Sequence, residues 1–330
     1  MVLVSALPGS QVNVLRRMAR YIPPIVSMQD TLLTLGTTVD IVHGFNISWE
    51  YALSEGRVFA TDQNLPFVIT PFAHLGAAHG DRVALNSTMD HQRWLMSTAD
   101  SLITLTEIEA DELRNHGVNP VRISTVGAGL DPISSFGGGS ALVEELGLTQ
   151  PFMMFIGRAS YEKGAIHASQ AVLGLARQGT RISLALVGQT SDEFDRYYQK
   201  LTAEEKQIIR PLGMLDESQK HALLEETVAL LLPSRTDSFG IVLLEAWAHG
   251  KPVIGANAGG IPAVIDDQKN GVLVDFGDVP ALIEAVRRLL VDKALNRRMG
   301  DNGRKKVSTQ YNWESLTEKI LGVYEELLRS

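Results

Sequence analysis

Strand-like and helix-like segments take turns along this chain, and that order restricts it to one class of fold. Short runs of β-branched and aliphatic residues recur at VDIVH (39–43), PFVITP (66–71), SLITL (101–105), RISTV (122–126), FMMFI (152–156), ISLALV (182–187), VALLL (228–232), PVIGA (252–256) and GVLV (271–274). Between most of them lies a segment with helical spacing, such as ASQAVLGLARQG or PALIEAVRRLL. Alternation of this kind means crossover units and parallel sheet. The runs are apolar throughout rather than apolar at every second residue, as expected when helices cover both faces of the sheet. The expected fold class is therefore α/β, doubly wound, with ligands at the carboxyl ends of the strands.

At 330 residues the chain exceeds what one core usually supports, roughly 250 to 300 residues, so two domains are expected. Turn formers cluster in DPISSFGGGSALVEELGLTQP, residues 131–151. The expected division is an amino-terminal domain over 1–140, a carboxy-terminal domain over 141–312 and a terminal helix over 313–330 that packs back toward the first domain. The triple glycine Gly137 to Gly139 has no strand leading into it and reads as a linker or surface loop rather than a phosphate cradle. No apolar run approaches the ~20 residues needed to span a bilayer. The opening MVLVSALPGSQVNVLRRMAR carries its arginines after its apolar part, the reverse of a secretory signal. A cytoplasmic location is expected, and the lack of cysteine, which removes disulfides, thiol nucleophiles and thiolate metal sites, agrees with it.

Charge narrows the partners. The net charge is −8, and residues 1–150 hold eight arginines, fifteen acidic residues and no lysine. Such a half suits neither nucleic acid nor anionic lipid, so no nucleic-acid partner and at most weak membrane contact are expected. The dense basic run Arg304, Lys305, Lys306 reads as a solvated helix face.

Several signatures are missing. GxGxxG and the P-loop are absent, as are GxSxG and any DxD pair, and His74 and His79 lack the HExxH glutamate and a third ligand. No metal and no cofactor are expected. What remains is a set of glycine turns at strand ends. In FMMFIGRASYEKG a strand runs out at Gly157 and presents Arg158 and then Lys163, a fork and a mobile ammonium suited to a diphosphate, or else two surface solubilisers. In VALLLPSRTDSFGIVLLEAWAHG a helix expected to begin near Ser238 offers the amides of Phe239, Gly240 and Ile241 to an anion. Asp237 precedes that helix, and Glu245, eight residues on, returns about 80° off the same face, so both can border one cleft. Ile241, Val242, Leu243 and Leu244 tie the helix to the sheet. The two acids either accept sugar hydroxyls or are an N-cap and an exposed helix residue. In GANAGGIPAVI the amides of Gly259 and Gly260 are expected to face the same cleft.

These turns together resemble the retaining glycosyltransferases of family 4, which have the two-Rossmann GT-B architecture. The match runs through Pro233, Ser234, Asp237, Phe239, Gly240, Glu245, Ala246, Gly250, Pro252, Val253, Gly259 and Gly260, with Gly157, Arg158, Lys163 and Gly164 matching the Gly-Arg and Lys-Gly turn. Ala128, Gly129, Leu130 and Asp131 match the family's Asn-Gly-Val-Asp turn loosely. The resemblance is good over 100–330 and weak before that. It implies that Arg158 and Lys163 bind the donor diphosphate with help from the amides after Ser238, and that Glu245 holds the nucleotide ribose. Asp237 stands where the family usually has glutamate and would touch the donor sugar or stabilise the transition state. Ala263 stands in place of another common glutamate. His74, in ITPFAHLG, resembles a histidine of the acceptor cleft, or is structural. The family's opening strand, glycine-rich loop and helix have no match, so the amino-terminal domain is expected to be truncated or to keep only a diverged remnant in residues 1–38.

The implied activity is metal-independent transfer, with retention, of a hexose from a UDP- or GDP-linked donor to a hydroxyl of a sugar, lipid-linked or small-molecule acceptor. The alternatives are a nucleotide-sugar-binding protein without catalysis, and a nucleotide-sugar epimerase on the same architecture, which has no motif support.

Overall fold

The computed structural model of the chain describes residues 12–19, 25–35, 38–76, 81–133 and 137–329. His79, residues 1–11 and parts of the segment up to 38 lie outside the described residues, and with them the question of a missing opening strand. Contact density divides the chain into two compact units, Met1–Ala128 with Glu314–Ser330, and Gly129–Trp313. The first boundary falls before the glycine run rather than after it. Leu130 explains why: its N–H donates to the Tyr311 carbonyl at 2.8 Å, tying residues just past Ala128 to the end of the second unit.

In the first unit four parallel strands lie in chain order: β1 (Val42–Phe45), β2 (Phe67–Thr70), β3 (Ser101–Thr104) and β4 (Ile123–Thr125). The first begins at Val42, not Val39, because the ladder starts where Val42 N–H donates to Pro66 O at 3.0 Å and Val42 registers with Phe67. Phe67, Ile69 and Leu102 fill one side with Leu53, Ala60, Leu95 and Met96 from the crossover helices. On the other side Val68, Ile103 and Val126 meet Leu316 and Leu327 of the helix Trp313–Arg329. That helix returns to the first unit because its apolar stripe completes this layer.

The second unit has six parallel strands: β5 (Phe152–Ile156), β6 (Ser183–Val187), β7 (Ile209–Gly213), β8 (Leu230–Leu232), β9 (Val253–Ala256) and β10 (Gly271–Val274). Their order is β10-β9-β8-β5-β6-β7. Every residue of β5 and β6 is buried, as the unbroken apolar runs require. The sequence reading misses β7, whose IRPLG carries a proline and a glycine; its place at the sheet edge is where proline is tolerated. The basic run is solvated only in part, for Lys306 donates to the Val264 carbonyl at 2.7 Å and pairs with Asp266 at 2.9 Å. Among the described residues no helix is long and apolar enough to cross a membrane.

The strand order reverses between β5 and β8, so the crossovers on either side leave in opposite directions and open a crevice at the carboxyl ends of these two strands. Gly164, which starts the helix Ala165–Arg177, sits there at φ +77°, and a Cβ on it would lie 2.1 Å from the Pro233 carbonyl oxygen. We expect Gly164→Ala to cost about 2 kcal/mol or more, from left-handed strain plus the backbone clash. Urea unfolding is the measurement, and an unchanged midpoint would show that the two loops need not approach so closely.

Candidate functional site

Two loops frame the crevice. The loop after β5 runs from Gly157 to Gly164, and the loop after β8 runs from Pro233 to Gly240. They are tied to each other. The Arg235 guanidinium grips the Glu162 carboxylate, with Nη2 to Oε1 at 2.9 Å, and Arg235 N–H donates to the Glu162 carbonyl at 3.0 Å. Beside this tie Lys163 Nζ meets Asp237 Oδ1 at 3.0 Å. Asp237 Oδ2 is buried with no hydrogen-bond partner among the described residues.

The helix after β8 begins at Ile241, not near Ser238. Gly240, at φ +84°, is its N-cap residue, and Leu243 N–H already closes a turn on the Gly240 carbonyl at 2.9 Å. The open amide end is therefore that of Ile241 and Val242, so that of the three amides expected there, Phe239, Gly240 and Ile241, only Ile241 belongs to it. Phe239 is instead a core residue, buried with its ring edge-on to Tyr311. Of the four aliphatics only Leu243 and Leu244 are fully buried, while Ile241 is 49% exposed. Helical geometry turns Ile241 outward because the buried stripe continues through Ala246 and Trp247.

Of the glycine pair, Gly260 departs from expectation. Gly260 N–H donates to the Asp237 carbonyl at 2.8 Å and so does not face a cleft. A Cβ on Gly260 would stand 1.8 Å from the Ser238 carbonyl oxygen, so the pair is small because the Asp237–Ser238 backbone lies directly on it. Its contribution is to shape the loop that carries Asp237.

Glu245 is buried, not exposed, and here the structure adds a residue the sequence did not reveal. Lys220, on the helix Glu217–Glu226, places Nζ 3.1 Å from Glu245 Oε1 and 2.8 Å from Glu217 Oε2. Glu245 Oε2 is buried without a partner among the described residues. Burial acts to lower the Lys220 pKa, but its hydrogen bonds to Glu217 and Glu245, with their charges, outweigh this and raise it. Lys220, Glu217, Gly157 and Arg158 line one cavity of about 410 Å³ with Gln189 and Met214. The structure thus brings Arg158 and the partner of Glu245 to one cavity, and Lys163 to Asp237. Arg158 is exposed and makes no ion pair among the described residues.

Below Glu245, His221 Nδ1 and His249 Nε2 are 2.9 Å apart. Burial and then the charge of His221 push the His249 pKa down to about 4, and burial lowers that of His221 as well.

His74 belongs to the first unit, exposed in the loop after β2, and its N–H donates to Ser87 Oγ at 3.1 Å. The loop is pinned by Glu109, a second residue the sequence reading misses. Its Oε1 accepts from Ala73 N–H at 2.7 Å and its Oε2 from Leu105 N–H at 2.8 Å. Burial, opposed by these two bonds, pushes the Glu109 carboxyl up to about 7. Among the described residues no cluster of His, Asp or Glu is arranged to hold a metal ion.

Two family models match the chain: one described as glycosyl transferases group 1 over residues 143–306, and a glycosyl transferase 4-like domain over residues 2–129. A glycogen synthase of Mycobacterium tuberculosis is 29% identical over 238 residues, 71% of this chain and 56% of the relative. A D-inositol 3-phosphate glycosyltransferase of Thermobifida fusca is 28% identical over 315 residues, 89% of this chain and 71% of the relative. The chain therefore spans little more than half the length of the first of these relatives. Among solved structures, Anabaena HepE in complex with UDP-glucose superposes with a TM-score of 0.76 at 19% identity, over 90% of this chain and 81% of that one. A sucrose-phosphate synthase from Thermosynechococcus elongatus gives 0.75 at 23% identity, over 95% and 79%. At this identity the likeness establishes the fold, two parallel-sheet α/β domains of the GT-B class.

The histidine pair makes a pH prediction. An unfolded imidazole takes up its proton near pH 6.5, whereas folded His249 resists until about pH 4, so stability falls as pH drops through that interval. We expect His249→Gln to remove about 1 kcal/mol of the loss between roughly pH 7 and pH 5. Urea midpoints at the two pH values test this, and an equal acid loss in the variant would exclude His249 as its source.

Proposed function

This chain belongs to the glycosyl transferases group 1, and from that membership we propose that it moves a hexose from a UDP- or GDP-linked donor to an acceptor hydroxyl, with retention and without a bound metal. The observation that supports this reading is a repeated one: Asp237 and Glu245 each spend one carboxylate oxygen on a lysine and keep the other buried and unpartnered. An unpaired buried acceptor costs about 1 to 3 kcal/mol, which a sugar or ribose hydroxyl donating to it would remove. Asp237 takes the donor sugar in this reading, and Glu245 the ribose.

Arg158, Lys163 and the amides of Ile241 and Val242 supply positive charge where the diphosphate departs, and such preorganised charge is the largest lever on a transition state that builds negative charge on a leaving group. As the glycosidic bond breaks, the sugar gains oxocarbenium character. The incoming hydroxyl attacks the same face, and the departing phosphate oxygen takes its proton, so no protein nucleophile is needed. His74 orients the acceptor or donor sugar. The short side chain of Asp237 reaches less far than the glutamate of the resembling family, which alters the donor hydroxyl within its range. The cytoplasm, where nucleotide sugars are made, is the matching location.

Calorimetric titration with UDP and GDP tests the donor site. We expect one of the two to bind, and the Arg158→Ala, Lys163→Ala double variant to bind at least about 100-fold more weakly, since two charge-assisted hydrogen-bonding groups are lost. Asp237→Asn should keep nucleotide affinity within about threefold and lose sugar transfer. Failure to bind either nucleotide would defeat the proposal; binding with unaltered transfer in Asp237→Asn would remove Asp237 from the reaction.

A further inference from the structure

At the carboxyl end of the first unit's sheet, β1 and β2 present rings rather than charge. Phe45, the last residue of β1, is 54% exposed. Its ring stacks on His43 at 4.1 Å and lies 6.3 Å from that of Phe72, in both cases at an interplanar angle of 30°. His43 is fixed beneath it, with Nδ1 at 2.6 Å from the Tyr324 hydroxyl and Nε2 at 2.8 Å from Thr70 Oγ1. Burial pushes the His43 pKa down to about 4, so a neutral ring carries the stack. Phe72 holds φ +50°, a left-handed conformation that bulky residues avoid, and Asn46, directly after Phe45, holds φ +65°. Strain of this kind is retained mostly where function needs a side chain aimed in one direction. His74 stands two positions after Phe72 on the same loop.

We propose that Phe45 and Phe72 are a stacking platform for a pyranose ring, so that the acceptor is a carbohydrate whose hydroxyl comes within reach of His74. This deepens the transferase reading and rests on it. An aromatic face is electron-rich and meets the C–H face of a sugar, while the hydroxyls at the ring's rim need small polar partners, which an exposed imidazole supplies. A phosphorylated acceptor would call for cations, and the groups holding this platform are imidazole, phenol and threonine hydroxyl. A lipid chain would be met by aliphatic side chains as readily as by fixed, stacked rings, and would not require the strain at Phe72.

The test is saturation-transfer NMR of the whole chain with methyl α-glucopyranoside, methyl α-mannopyranoside and maltotriose, with a parallel nucleotide titration of every variant. Saturation should reach the ring C–H protons of at least one sugar. Phe45→Leu, which stays apolar but loses the flat face, should weaken that sugar about tenfold, and Phe45→Tyr should retain it. Nucleotide affinity should be the same in all variants, which also reports that they fold. Undiminished sugar binding in Phe45→Leu, or no saturation with any of the three, overturns the platform. So does a preference for octyl over methyl glucoside that survives Phe45→Leu, which would assign the surface to lipid. Sugar binding without any nucleotide binding would leave the platform standing and sink the transferase reading instead.

Discussion

The tie between the loops after β5 and β8 is what the rest of the second unit's site depends on. The reversed strand order makes these strands neighbours while sending their crossover helices apart, so nothing in the sheet itself holds the two loops together. The bidentate Arg235–Glu162 pair and the backbone bond beside it close the gap. Gly164 then lies against the Pro233 carbonyl, where a side chain would force the loops apart. With that geometry set, Lys163 from one loop and Asp237 from the other have a defined separation of 3.0 Å.

That separation matters because both acids of the site are held in the same half-satisfied state. A carboxylate removed from water needs several donors, and one lysine supplies only part of them. Lys163 offsets part of the cost for Asp237, and Lys220, itself shared with Glu217, offsets part for Glu245. Completing either set inside the protein would be simple, with a serine or an amide nearby, and would leave no acceptor for a ligand. Removing the acids in favour of apolar residues would often stabilise a fold. Keeping two ionisable side chains buried and incompletely paired is the pattern expected of a binding site rather than of a structural ion pair.

Much of this was legible in the sequence because it is local. Strand, glycine turn and helix follow each other within some fifteen residues, so Gly157, Arg158, Lys163 and the stretch from Pro233 to Glu245 announce themselves, as does the doubly wound class. What failed to show depends on packing. The helix starts at Ile241 because Gly240 takes a left-handed conformation, and the Asp237–Ser238 backbone before it rests on Gly259 and Gly260 from a different turn. Lys220 is one polar residue in a short helix with no clear apolar face until the fold sets it against Glu245, 25 positions later. Glu109 likewise clamps Ala73 from 36 positions away. Edge strand β7 reads as a loop because Pro211 and Gly213 are turn formers, and only its place at the margin of the sheet makes them acceptable.

The two units differ in this respect for a chemical reason. Holding a diphosphate takes cations and open amides, and these residue types at strand ends are conspicuous in any sequence. A neutral polyol needs neither. Its site is assembled from rings and hydroxyls that serve equally well in a core, and their meaning lies in exposure and in partners far along the chain: Phe45 is stacked on a histidine that Tyr324 holds from 281 positions away. A lysine-free, acidic first half was therefore informative mainly by exclusion, arguing against nucleic acid and anionic membrane. The positive evidence there is geometric, a pair of rings, Phe45 exposed and Phe72 half-buried, at the carboxyl end of a parallel sheet with a neutral imidazole stacked on Phe45, and no pattern of residue types along the chain could have stated it.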